Sequence, residues 1–270
     1  EHIRFSWKRL CGFIAVNALV VIPLMVLYLG VSASIGVTHL SRGFIHLGAK
    51  GLSVEARTYR YNGKSILLLP TVHIADRSFY SDLLSSLPSG TTVIIPEGVS
   101  DDQNLLAAGL GYEKIASALG LAAQNGQTFS SNTTFPTNPC DIDVSMLSPE
   151  VVNYLNAISY LFNNLNSENQ AAALTKYMAT PAPDTDLMIN EILIDRNRRV
   201  VACIQDSLEN YDYIVVPWGA AHMPGIERAL LGQGAEKVDS RRVWVMRWSA
   251  ADAVPPRKQE SGREEKTTKP

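Results

Sequence analysis

Two histidines and a glutamate stand just beyond three short apolar runs. Residues 65–70 lead into Thr71-Val72-His73, residues 92–96 lead straight into Glu97-Gly98, and residues 213–217 lead through Trp218-Gly219-Ala220-Ala221 to His222. Imidazole nitrogen and carboxylate oxygen are ligands for a divalent cation such as zinc, manganese or cobalt, and a cation so held lowers the pKa of its bound water to about 7. Without a metal, one histidine could act as general base on a water that Glu97 orients. Spacing leaves both chemistries open. Of the five histidines, His2, His39 and His46 fall in or beside an N-terminal apolar stretch, so His73 and His222 are the two that remain for the rest of the chain.

These positions matter only if the runs are strands. Unalternated β-branched and aliphatic runs bounded by turn residues read as strands buried on both faces. Proline cannot donate to a ladder, so Pro70, Pro96 and Pro217 are expected to mark where pairing stops. In open α/β sheets the ligand crevice lies beyond the carboxyl ends of the strands, which would gather His73, Glu97 and His222. Residues 54–61, Asn62-Gly63 and residues 64–69 read as a β-hairpin, because Asn-Gly supplies the positive φ angles of a tight turn. Helices are expected over 76–87, 101–124 with a break at Gly109-Leu110-Gly111, 149–164, 166–178, 184–209 and 224–231, and final strands over 213–216 and 243–248. The fold class is α/β, a mixed central sheet flanked by helices. Strand, histidine loop and helix recur at 66–87 and 214–231, which suggests pseudo-duplicated halves.

Residues 10–37 carry no charged side chain, and a bilayer core about 30 Å thick needs roughly 20 apolar helical residues. That length favours a retained signal anchor over a cleaved signal peptide. The expected organisation is a flank at 1–9, a transmembrane helix at 10–37, an amphipathic juxtamembrane segment at 38–53, the α/β domain at 54–250 and a disordered polar tail at 251–270. Arg4, Lys8 and Arg9 precede the span, so the positive-inside rule favours a single-pass protein with its domain extracytoplasmic. A net charge of −2 without a basic aromatic face argues against nucleic acid. Three cysteines make no disulfide framework; Cys140 and Cys203 could pair in an oxidising compartment but are expected to be unpaired. Residues 125–139, rich in Asn, Ser, Thr and Pro, read as a loop carrying the sequon Asn132-Thr133-Thr134.

A second tier of residues is less specific. Asp195-Arg196-Asn197-Arg198-Arg199 falls inside an expected helix, where Arg198 and Arg199 suit a solvated face. Arg196 would differ if that helix packs under the site, since a fixed guanidinium can hold a carboxylate or an oxyanion. Asp141 and Asp143 follow Cys140 on a loop or strand, with only a minor metal role expected. Gly219 would permit a tight turn before His222, and Glu227 is expected to be solvated.

Together these motifs resemble the TraB/GumN/TIKI superfamily. That family carries Gly-Thr-x-His after an early strand, a glutamate at the end of a following strand, an Arg-Asn pair on a late helix, and a final Gly-x-x-His. Thr71-Val72-His73, Pro96-Glu97-Gly98, Asp195-Arg196-Asn197 and Gly219-Ala220-Ala221-His222-Met223-Pro224-Gly225-Ile226 match in that order over about residues 54–248. Pro70 departs from the pattern, standing where the family has glycine and removing a backbone donor beside His73. The resemblance implies metal-dependent proteolysis, with His73, Glu97 and His222 as metal ligands and Arg196 and Asn197 as further site residues. The expectation is a membrane-anchored hydrolase using a divalent metal ion (Mn, Co or Zn) on a peptide or protein. The alternative is a binding protein for a peptide signal, resembling TraB, or for haem, resembling ChaN.

Overall fold

A computed structural model describes residues 6–84, 87, 90–124, 135–165 and 167–249. The expected tail, the sequon and most of its loop lie outside the described residues. The strands are β1 (Ile45–Gly48), β2 (Gly51–Tyr61), β3 (Lys64–Thr71), β4 (Ile74–Ala75), β5 (Thr92–Ile94), β6 (Ala122–Ala123), β7 (Tyr213–Gly219) and β8 (Glu236–Arg247). Six of them form one mixed sheet, in which β3, β7 and β5 run parallel with β7 in the middle. Antiparallel β2 carries β8 along one edge, and β1 and β3 share the other. The hairpin turn is as expected, with φ 50° at Asn62 and 79° at Gly63.

Alternate residues of β3 and β7 feed two cores, one on each face of the sheet. Ile66, Leu68, Ile214, Val216 and Trp218 pack with Val200, Ile204, Met223, Ile226 and Leu230 from two later helices. Leu67, Leu69 and Val215 pack with Phe79 and Leu83 on the opposite face. The two helices that follow the histidine loops, Arg77–Leu84 and Met223–Gly232, therefore lie on opposite sides of the sheet.

The prolines behave unequally. Hairpin pairing of β3 with β2 stops at Leu68, while β3 continues beside β7 through Pro70 to Thr71, so Pro70 ends pairing on one edge only. Pro217 sits within the ladder and not at its end. The Glu97 amide donates to the Pro217 carbonyl, and the Ile95 carbonyl, deprived of a Pro217 N–H, accepts the Trp218 indole N–H at 3.1 Å instead. A side chain thus replaces the missing ladder bond, and both β3 and β7 run further than their prolines suggested.

Other differences have local causes. Residues 101–111 are irregular, and the helix there spans only Tyr112–Ala118. Asp101 accepts the amides of Leu105 and Leu106, while Asn156, Ser159 and Asn163 of the helix Pro149–Asn163 bond backbone groups from Leu105 to Gly109. Side chains satisfy that backbone, so it needs no helix. The first half of β8 is charged and exposed, which suits an edge strand and hid it from a hydrophobic pattern. The juxtamembrane segment is no separate amphipathic element: one long apolar helix runs Trp7–Leu40, and β1 and the start of β2 follow it directly. Cys140 and Cys203, expected to be unpaired, are joined as a disulfide.

Candidate functional site

β7 lies between β3 and β5, so the loops after these three parallel strands open on the same sheet edge. His222 follows β7 directly and caps the helix Met223–Gly232. Its ring is 3 % exposed and meets the Trp218 indole edge-on at 5.1 Å. The Nδ1–H donates to Asn197 Oδ1 at 2.8 Å, which leaves Nε2 facing Arg196 Nη1 at 3.3 Å and Glu97 Oε1 at 3.4 Å.

Glu97 is clamped from three sides. Oε1 accepts from Arg196 Nη2 at 2.8 Å, and Oε2 accepts from the Gly219 amide at 2.6 Å. Burial pushes its pKa up, but the neighbouring His222 ring, the Arg196 charge and the Gly219 amide outweigh that and hold it at about 2. Gly219 serves close approach, not turning: a Cβ there would stand 3.0 Å from Glu97 Oε2. Gly225 does the same for Asn197, whose Nδ2 would lie 2.3 Å from an added Cβ.

Arg196 is the hub. Its helix, Arg196–Ser207, is entered through a π-helical stretch, Asn190–Asp195, which rotates the following face relative to the preceding turn. The guanidinium is buried, bonded to Asp141 through Nε (2.9 Å) and Nη2 (2.6 Å), to Glu97 through Nη2, and to the His222 ring through Nη1. Burial disfavours its charge, yet Asp141 and Glu97 raise its pKa. With its donors so occupied, Arg196 fixes Glu97 and His222 in place and is not free to take an oxyanion.

His73 is the open member. Its ring stacks on Tyr112 at 4.4 Å and 9°, and the residue is exposed. Surrounding protein lowers its pKa, Glu97 raises it, and Arg196 and His222 lower it again. It therefore lies within electrostatic reach of the other three, with its pKa held below the ordinary imidazole value.

Of the expected site residues, Glu97, Arg196, Asn197 and His222 interlock directly, and His73 lies within electrostatic reach of Glu97, Arg196 and His222. Asp141 was underrated from sequence. It neighbours Cys140, and its partner Arg196 lies two helical turns before Cys203, so the disulfide and the ion pair fasten the same loop to the same helix. Asp143 instead accepts from the Ser100 hydroxyl and the Asp102 amide and caps the short 3-10 turn Val144–Met146 through the Ser145 amide. Glu227 is not solvated; it is buried against Arg57 at 2.9 Å and Tyr59. No spacing announced Tyr112 beside His73.

A divalent cation fits this arrangement poorly. Both Glu97 oxygens and both His222 nitrogens already have protein partners, and a guanidinium stands 3.3 Å from the nitrogen that would have to ligate. No family model, curated protein or solved structure matches the chain.

Proposed function

We propose that this is a membrane-anchored hydrolase of the TraB/TIKI type, acting on a peptide or protein, in which His73 activates water without a resident metal. The observation that carries the reading is the network of Glu97, Arg196, Asp141, His222 and Asn197 at the strand ends, within electrostatic reach of the exposed His73 imidazole. Groups needed only for stability would be better replaced by apolar side chains, since buried ion pairs contribute little net stability. His73 takes a proton from water as the oxygen attacks the substrate carbonyl carbon, and returns it to the leaving amine. Glu97, ionised above about pH 2, supplies the fixed negative charge that favours the imidazolium formed on the way. The disulfide supports an extracytoplasmic domain, because such bonds persist in oxidising compartments.

The test is a peptide-library cleavage assay with the wild type, His73→Gln and His222→Ala. Activity should rise as pH climbs through a His73 pKa below 6.5 and then level off, and His73→Gln should lose at least about 100-fold. Full activity in His73→Gln would end the mechanism. Tyr112 against His73 favours a second reading, a binding face for a flat aromatic ligand such as haem. A Soret band on haem titration, with no peptide turnover, would select it.

A further inference from the structure

The helix Trp7–Leu40 has 34 residues, far more than one bilayer crossing requires. Its composition changes midway. Fourteen of residues 10–29 are Leu, Ile, Val, Phe, Met or Tyr, whereas Gly30, Ser32, Ser34, Gly36, Thr38 and His39 populate the final turns. The change coincides with contact. Ser34 Oγ donates to the Leu47 carbonyl of β1 at 2.5 Å. Val26, Leu27, Gly30, Val31 and Ser34 line one wall of a cleft of about 460 Å³ whose other wall is Leu47, Gly48, Ala49 and Trp248.

Were residues 30–37 in hydrocarbon, that sheet edge and the exposed Lys50 beside it would be carried in too. Open strand edges are not tolerated in lipid. From Trp7 to Tyr28, at 1.5 Å per residue, the helix rises about 32 Å, the thickness of the hydrocarbon core. Trp7, Lys8 and Arg9 stand at one end of that interval. Tyr28, Trp248 and Lys50 stand at the other, with Trp7, Tyr28 and Trp248 71 %, 70 % and 55 % exposed. Aromatic and basic side chains gather at both membrane interfaces. Trp248 is held there by its indole N–H on the Gly48 carbonyl at 3.0 Å.

We infer that the bilayer is crossed by Trp7–Tyr28 alone, and that the β1–β2 turn with Trp248 is a lipid-docking surface seated in the interface beside the helix. The last three turns of the helix then belong to the extramembrane domain, which is fixed to its anchor without a flexible linker. This goes beyond the hydrolase reading and does not depend on it.

The test uses the full chain, with Cys11→Ser, in vesicles of phosphatidylcholine and phosphatidylglycerol. Single cysteines at Met25, Ile35 and Leu40 are probed with a membrane-impermeant maleimide. These three residues are 52 %, 65 % and 81 % exposed in the folded protein, so protection reports lipid and not packing. Ile35→Cys and Leu40→Cys should react in intact vesicles, and Met25→Cys only after detergent. Protection of Ile35→Cys, or reaction of Met25→Cys without detergent, overturns the assignment. Independently, the emission lost in Trp248→Phe should be quenched by lipids brominated near the glycerol more than by lipids brominated near the chain ends. Absence of quenching by either overturns the docking surface.

Discussion

Replacing Glu97 by glutamine removes one charge from the network while keeping its shape. The side chain is 13 % exposed, and its carboxyl is held at about 2 against an ordinary value of 4.5. A carboxyl so depressed contributes stability that is complete above about pH 4.5 and is lost as pH falls through 2. The difference corresponds to about 3 kcal/mol at pH 7, about half of that at pH 3, and under about 1 kcal/mol at pH 2. The assay is urea unfolding of the wild type and Glu97→Gln in detergent across that range. Glu55, also held at about 2 against burial by Lys237 and Arg57, makes the wild type acid-sensitive too. The readout is therefore the gap between the two proteins. Glutamine also turns an amide donor toward Arg196, which adds an offset that does not vary with pH. A gap that stays constant from pH 7 to pH 2 would refute the reasoning, because Glu97 would then not be ionised by its partners.

Dialysis against EDTA should leave both hydrolysis and melting temperature unchanged, with no stoichiometric Mn, Co or Zn found by elemental analysis; a stoichiometric metal lost in His222→Ala would restore the metal-ligand role of His73, Glu97 and His222. Gly225→Ala should push Asn197 off His222 Nδ1 and lower kcat by about 100-fold, the penalty of an ångström-scale misplacement. Unchanged kcat there would remove Asn197 from the site. Cys203→Ser should destabilise the domain by about 4 kcal/mol, the chain-entropy value for a closed loop of 63 residues, as read by denaturant titration.

The three parallel strands were legible because Ile, Val and Leu fill both faces of β3 and β7 and turn residues bound them. Legible for the same reason were the loops that follow, and hence His73, Glu97 and His222. What escaped was set by tertiary contact. Asp141 looks like any loop aspartate until the disulfide and Arg196 fix it, and Tyr112 opens a seven-residue helix with no pattern pointing at His73. Gly219 and Gly225 were visible as glycines, but the reason for them was hidden. Neither has a positive φ; each leaves room for a side chain from another segment. Glu227 was misread because its partners, Arg57 and Tyr59, lie about 170 residues away on β2.

Function and scaffold meet in how the parts are shared out. The sheet supplies His73, Glu97 and His222, while the long segment between β5 and β7 supplies Asp141, Arg196, Asn197 and Tyr112. Neither set makes a site alone: without the inserted helix, Glu97 and His222 would be a partly buried carboxylate and imidazole with no cation to offset desolvation. That dependence explains the fasteners at the junction. The Cys140–Cys203 bond and the Asp141–Arg196 pair lock the insertion to its own helix, and Asn197 against Gly225 locks that helix to the one that His222 caps. A scaffold that needed only to fold would not require two glycines, an inward arginine and a disulfide around one imidazole. Their convergence on His222 and Glu97, within electrostatic reach of the exposed His73, is what makes this edge of the sheet the candidate site that the cleavage assay tests.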